Sequence, residues 1–318
     1  MNSIIKSFNK MINHIEKIYK KMSTWAKVLL FIIILLIILS FFNTSPLTNK
    51  EGFIQKDAFV QKSGMDIYDD FYAEIYDYLV YNDVKNEYEV GQIVNSTSPS
   101  SESIILDIGS GTGHHVGELN KQNLKVIGVD ISDAMVKKSK ENYPNAEFKQ
   151  GDVMERSLFN PSSFTHIMCM YFTIYYMENK EQFFKNCFYW LKPGGFLIVH
   201  LVNKDMFDPI LPPGNPLLLV SPQKYAKQRI TTTKIKFTDF SYDSDFQLPN
   251  GSNEAKFIEK FKNDKTNQTR KNEHKLYMDS QESILTLAQE TGFILEGQAD
   301  LLKAQYEYQY LYFLLKPI

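Results

Sequence analysis

Three aspartates and a run of glycines mark where this chain can do chemistry. In Asp107-Ile108-Gly109-Ser110-Gly111-Thr112-Gly113 an acid sits just ahead of glycines at alternate positions, where a backbone without Cβ atoms turns tightly and comes close to a ligand. Asp130 ends the apolar run Leu124–Asp130, and Asp152 follows Gly151 directly. A carboxylate accepts two hydrogen bonds side by side, so acids in such places suit paired hydroxyls or an amino group. The set describes a cradle for a small molecule. For moving a proton the candidates are His200, His114, His115 and Tyr176. Histidine titrates near neutrality, and a tyrosine hydroxyl both donates and accepts. Tyr175 and Tyr176 can also stack on a cation, with packing under a loop as the competing role.

The elements that must hold these residues alternate regularly. Ile104–Ile108 surrounds Asp107 with apolar residues and reads as a buried strand; Leu124–Asp130, Glu147–Lys149, Phe164–Tyr171 and Phe196–Val202 read as further strands. Helices are expected from His114 through Asn120, over Ala134–Tyr143 and over Lys180–Leu191. Strands alternating with helices at this spacing make an α/β, doubly wound, mostly parallel sheet, which binds ligands at the carboxyl ends of its strands. Phe293–Glu296 and Tyr308–Leu315 fit a closing pair that brings the sheet to seven strands. Tyr68–Asn95 is helical in pattern and dense in tyrosine. Asp208–Tyr225, with Pro209, Pro212, Pro213, Pro216 and Pro222, breaks the rhythm as a loop or lid. Ile230–Phe246 and Ala255–Tyr277 alternate as antiparallel strands about a polar tip at Asn250-Gly251, so residues 206–275 form an antiparallel insert within a domain over 65–318.

Ahead of that domain, residues 1–24 place Ile4, Ile5, Phe8, Met11, Ile12, Ile15 and Ile18 at helical spacing with Lys6, Lys10, Lys17, Lys20 and Lys21 opposite. Such a basic amphipathic helix suits an anionic membrane surface or a coiled-coil seam. Residues 25–45 include the uncharged run Val28–Phe42, close to the ~20 residues that cross a bilayer. They read as a retained transmembrane helix rather than a cleaved signal, which makes the lipid bilayer a partner and the protein single-pass. Lysines ahead of the run outnumber those just after it, which favours a cytosolic N-terminus, whereas the free thiols Cys169 and Cys187 suit a reducing compartment for the domain; the side stays open. Residues 46–64 are polar, with Pro46 and Gly52, and read as a tether.

Charge narrows the partners. With 35 basic and 37 acidic side chains and a net charge of -2, nothing calls for nucleic acid. No metal centre is expected. Lys256, Lys260, Lys262, Lys265, Arg270 and Lys271 make part of the insert basic, as a solvated face or a site for an acidic group.

A glycine cradle also serves dinucleotide enzymes, but their fingerprint requires glycine or alanine at a sixth position that His114 holds here. Asp107 inside the first strand, Gly151-Asp152 after the third and Pro193-Gly194-Gly195 before the fifth complete a different pattern. With Asp-Ile-Gly-Ser-Gly-Thr-Gly and Val-Ile-Gly-Val-Asp-Ile-Ser, it resembles the class I S-adenosylmethionine-dependent methyltransferases over Tyr68 to Leu201. The resemblance implies a Rossmann-like sheet and S-adenosyl-L-methionine as cofactor. It implies that Gly109 and Gly111 admit the methionine part with Asp107 near its amino group, that Asp130 takes the ribose flanked by Ile131 and Met135, and that Asp152 and Val153 meet the adenine. Met170 would close the pocket, and Tyr76, Ser110 and Gly113 would complete the cofactor site. Tyr76-Asp77-Tyr78-Leu79 and Cys169-Met170-Tyr171 through Tyr176 are similar to small-molecule N-methyltransferases, including those acting on amino sugars. The expected activity is methyl transfer to an N or O acceptor on a small molecule, with His200 or Tyr176 as base. The alternative is a cofactor-binding membrane scaffold without turnover.

Overall fold

The computed structural model describes residues 19–43, 57–214 and 221–318. Most of the basic helix expected over 1–24 and most of the tether expected over 46–64 lie outside these residues. The chain divides into two compact units, Met1–Gly52 and Phe53–Ile318.

The first unit contains helix α1 (Thr24–Asn43), whose side chains are described as far as Leu35. Among the described residues, no helix is long and apolar enough to cross a membrane. The transmembrane helix expected over 25–45, the single-pass location and the bilayer as partner are corrected accordingly. Apolar composition in Val28–Phe42 carries that expectation, and composition alone does not make a span.

The second unit begins with β1 (Phe59–Ser63), followed by α2 (Asp70–Val80) and α3 (Asp83–Thr97). The pattern over Tyr68–Asn95 is therefore two helices. Tyr81 ends the first, and Asn82 starts the second by accepting a 2.9 Å hydrogen bond from the Lys85 N–H. Then come β2 (Ile104–Ile108), α4 (His114–Lys121), β3 (Lys125–Asp130), α5 (Asp133–Asn142), β4 (Glu147–Gln150), β5 (Phe164–Cys169), α6 (Lys180–Trp190) and β6 (Leu191–Val202). After the insert strands β7 (Thr232–Lys236), β8 (Phe240–Gln247), β9 (Glu254–Asn263) and β10 (Thr269–Tyr277), the chain closes with α7 (Gln281–Thr291), β11 (Ile294–Leu301) and β12 (Tyr306–Leu315).

The main sheet has seven strands in the order β11-β12-β6-β5-β2-β3-β4. Strands β2 to β6 run parallel, and β12 pairs antiparallel with both β6 and β11. Both faces are covered, which is why the central strands read as continuous apolar runs. On β6, Leu197, Val199 and Leu201 pack with Phe183, Phe184 and Trp190 of α6, while Ile198 joins Val90, Ile93, Val116 and Leu119 on the other face. The strand order reverses between β2 and β5, opening a crevice at their carboxyl ends.

A second, five-stranded sheet, β1-β10-β9-β8-β7, is antiparallel except that β1 runs parallel to β10. Its inward residues include Tyr242, Phe261, Arg270 and Asn272. Arg270 bonds both oxygens of Asp69, at 2.9 and 2.8 Å, and the Ile67 carbonyl at 2.8 Å. Asp69 is also the N-cap of α2, so one carboxylate starts that helix and fastens it to the insert.

A buried ion pair lies between α3 and α4. Lys85 Nζ is 2.5 Å from Glu89 Oε1, and His115 Nε2 is 3.0 Å from Oε2. Burial pushes the Glu89 pKa up, but Lys85 and His115 outweigh it and hold the carboxyl at about 2. Its stabilising contribution is thus present above the ordinary carboxylate range and is lost as pH falls toward 2. Glu89→Gln leaves the Lys85 ammonium buried without a counter-charge, and urea unfolding is expected to report a loss of about 3–5 kcal/mol. A loss under about 1 kcal/mol would contradict a buried charged pair.

Candidate active site

A cavity of about 600 Å³ opens at the carboxyl ends of β2, β3, β4 and β5. Three layers enclose it. The strand ends supply Asp107, Gly109, Ser110, Gly111, Asp130, Ile131, Asp152, Val153 and Met170; α2 supplies Tyr72 and Tyr76; the insert supplies Phe246, Phe257 and Leu276. Tyr68, Met135 and Tyr176 complete the wall.

The glycine run works as its spacing requires. Gly109 has φ +66°, and a Cβ there would meet Thr173 Cγ2 at 2.5 Å. Gly111 has φ +53° and stands 3.7 Å from the Tyr76 ring at the point where a Cβ would begin. Its N–H donates to Asp130 Oδ2 at 3.0 Å, while Ser132 N–H donates to Oδ1 at 2.9 Å. Asp130 is thereby aimed and held by backbone, with lone pairs left over for hydroxyls. Burial raises its pKa and the backbone donors oppose that rise.

Asp107 is the exception among the acids. It is 2 % exposed, and its carboxylate has no hydrogen-bond partner among the described residues. Burial, partly offset by His115, pushes its pKa up to about 7. A carboxylate in that condition lacks a cation or a donor. Ser110 Oγ, also in the cradle, is a buried hydroxyl without a partner. Asp152 turns one oxygen to its own loop, accepting from Met154 N–H at 2.8 Å. Tyr171, just past β5, lines the cavity at φ +50°, an uncommon conformation for a bulky side chain and one that clusters at functional sites.

Two expected site residues are placed elsewhere. Gly113 does not line the cavity; at φ +91° it starts α4, and a Cβ would strike the Phe148 ring at 2.7 Å, so its role is close packing. His200 lies fully buried on β6, its Nδ1 2.7 Å from the Tyr171 carbonyl, and is absent from the cavity wall. Burial and Lys85 push its pKa down to about 4. It is a neutral core histidine near pH 7. His114 and His115 line the wall, but the first stacks on Tyr81 at 3.6 Å and the second is bonded to Glu89.

Tyr176 does line the cavity, and it brings a group that sequence reasoning missed. Its hydroxyl is 2.9 Å from His274 Nδ1, and His274 Nε2 is 2.8 Å from Glu259 Oε2. The signal was available in Thr269–Tyr277, where Arg270, Asn272 and His274 alternate in phase with the buried Leu276 and so face inward.

Residues 105–195 match the family profile described as a methyltransferase domain. The chain is 32% identical to dTDP-4-amino-2,3,4,6-tetradeoxy-D-glucose N,N-dimethyltransferase of Saccharopolyspora spinosa over 35% of its own length and 45% of that enzyme. It is 26% identical to phosphoethanolamine N-methyltransferase of Plasmodium falciparum over 64% of its length and 73% of that enzyme. The chain thus spans under half of the first relative. Among solved structures, the sugar N-methyltransferase KedS8 of Streptoalloteichus sp. covers 86% of this chain with a TM-score of 0.56 at 15% identity, a likeness of fold. Residues 105–195 are thus similar to a methyltransferase domain, and the fold is the one shared by solved S-adenosylmethionine-dependent methyltransferases.

Proposed function

We propose that this chain transfers a methyl group from S-adenosylmethionine to the nitrogen of a small amine. The observation that carries the reading is Asp107, a carboxylate 2 % exposed at the head of the glycine cradle, with no hydrogen-bond partner among the described residues and its pKa pushed up by burial to about 7. Asp107 would hold the amino group of bound S-adenosylmethionine and Asp130 its ribose hydroxyls, and the sulfonium would supply an electrophilic methyl group. The residues present fit it. Gly109 and Gly111 give the close approach, Ser110 Oγ has an open hydrogen bond, and Ile131, Met135, Val153 and Met170 provide apolar wall beside Asp152. Tyr76 covers the cradle from α2.

Methyl transfer is an in-line displacement, so the protein mainly orients the acceptor and excludes water. Tyr68, Tyr72, Tyr76, Tyr176, Phe246 and Phe257 make a wall suited to both tasks, and aromatic faces attract a cationic amine. The amine acceptor is also the class named for several relatives. The test is transfer of a labelled methyl group by the full chain to phosphoethanolamine, to the dTDP-amino sugars of the matching enzymes, and to a hydroxyl-bearing control set. Label in an amine is expected. Label only in hydroxyl acceptors would refute the nitrogen assignment.

A further inference from the structure

The hydrogen-bond chain that starts at Tyr176 leaves the cavity and runs into the insert sheet. His274 on β10 and Glu259 on β9 are each 1% exposed. Besides His274, Glu259 accepts from Asn272 Nδ2 at 3.0 Å, from the Tyr242 hydroxyl at 2.7 Å and from the Tyr72 hydroxyl at 3.1 Å. Burial pushes the Glu259 pKa up, but the bonds from His274, Asn272 and Tyr242 outweigh it and hold the carboxyl below its ordinary value. An ionised Glu259 takes the N–H of His274 Nε2, which leaves Nδ1 as an acceptor. Tyr176 therefore donates to Nδ1, and its oxygen, which accepts from the Tyr68 hydroxyl, keeps a second lone pair beside the cavity it lines.

The surroundings isolate this chain. The rings of Tyr68 and Tyr72 stand 6.0 Å from His274 and that of Phe257 stands 5.5 Å away. Along β10, Arg270 is engaged by Asp69 and by Asn272 Oδ1. The titratable groups facing His274 are thus Tyr68, Tyr72, Tyr176 and Glu259, and the only carboxylate among them is its own partner. A structural core would not need an ionised acid here, since burying one is costly and apolar residues fill the same volume.

We propose that Tyr176, His274 and Glu259 form a relay that takes the proton released by the acceptor amine. The inference rests on the nitrogen-methylation reading. Once the amine has gained its methyl carbon it carries a surplus proton. That proton passes to the Tyr176 oxygen as the Tyr176 proton passes to His274 Nδ1, and the imidazolium so formed is paired with the Glu259 carboxylate. Charge is conserved, no co-reactant is needed, and solvent reclaims the proton after product leaves. Tyr176 is the residue that touches the acceptor, while His274 and Glu259 act through it.

The experiment uses the full chain with phosphoethanolamine and the dTDP-amino sugars as acceptors, beside calorimetry with S-adenosylmethionine. His274→Gln is expected to keep cofactor affinity within about twofold, leave KM for the amine within about threefold and lower kcat about a hundredfold near neutral pH. The deficit should shrink as pH rises toward about 9.5, where solvent hydroxide takes over the proton. Tyr176→Phe should behave alike. Glu259→Gln should lower kcat and move the acid limb of the kcat profile, with the His274 imidazole nitrogen signals reporting the changed tautomer even if this variant is less stable. A deficit equal at all pH values, an unchanged kcat in His274→Gln, or a wild type that binds cofactor yet methylates no amine would each overturn the relay. Failure of the wild type to bind cofactor is a separate result, and it would refute the reading beneath.

Discussion

Replacing Asp107 with asparagine is expected to weaken S-adenosylmethionine binding by about a hundredfold while making the ligand-free protein more stable. The first effect follows from the loss of a buried carboxylate that has no hydrogen-bond partner among the described residues; a buried charge-to-charge hydrogen bond contributes about 2–5 kcal/mol when one side is truncated. The second follows from linkage. Folded Asp107 holds its proton up to about 7, because of burial, whereas the unfolded group releases it near its ordinary value of 3.8. The folded state therefore binds the extra proton in that window, and stability falls as pH rises through it. Asparagine has no charge to lose. The variant should show a flatter stability profile between about pH 4 and 8 and a gain of about 1–3 kcal/mol at the upper end. For the wild type, cofactor binding should release a proton and tighten as pH rises from about 6 to 8. Calorimetry in buffers of different ionisation enthalpy measures that proton directly, and pH-independent binding would contradict the assignment.

The second large effect is expected at Asp130. Its two oxygens hold the Gly111 and Ser132 N–H groups, so it shapes the cradle as well as presenting acceptors to hydroxyls. Asp130→Ala removes both roles and should abolish measurable binding. It should also cost about 1–3 kcal/mol in unfolding free energy, as two backbone donors lose their partner. Asp130→Asn keeps one oxygen and should lose only about tenfold. Equal affinities for the wild type and the alanine variant would remove Asp130 from the site.

Much of this was legible from local pattern. The apolar runs with Asp107, Asp130 and the glycines announce strands and tight turns because those features depend on residues adjacent in the chain. The parallel core of the main sheet follows from alternating runs whose two faces are both covered. What was hidden depends on partners far away in sequence. Strand β1 lies within the expected tether because its pairing is with β10, and nothing in Phe59–Ser63 alone says so. The break between α2 and α3 hinges on a single cap at Asn82. His200 and His274 look alike as isolated histidines, yet one is buried against the Tyr171 carbonyl away from the cavity and the other joins Tyr176 to Glu259. Gly113 shares the alternate spacing of Gly109 and Gly111, but the ring that demands its missing side chain belongs to Phe148. The membrane expectation rested on composition in Val28–Phe42, and no described helix meets the length and apolarity of a span.

The central claim is that the cavity at the strand ends holds S-adenosylmethionine through Asp107 and Asp130. Titration calorimetry of the full chain with S-adenosylmethionine near pH 8 tests it most directly. One cofactor per chain is predicted for the wild type, and none for Asp130→Ala. No heat from the wild type, or binding that survives the alanine substitution unchanged, would contradict it.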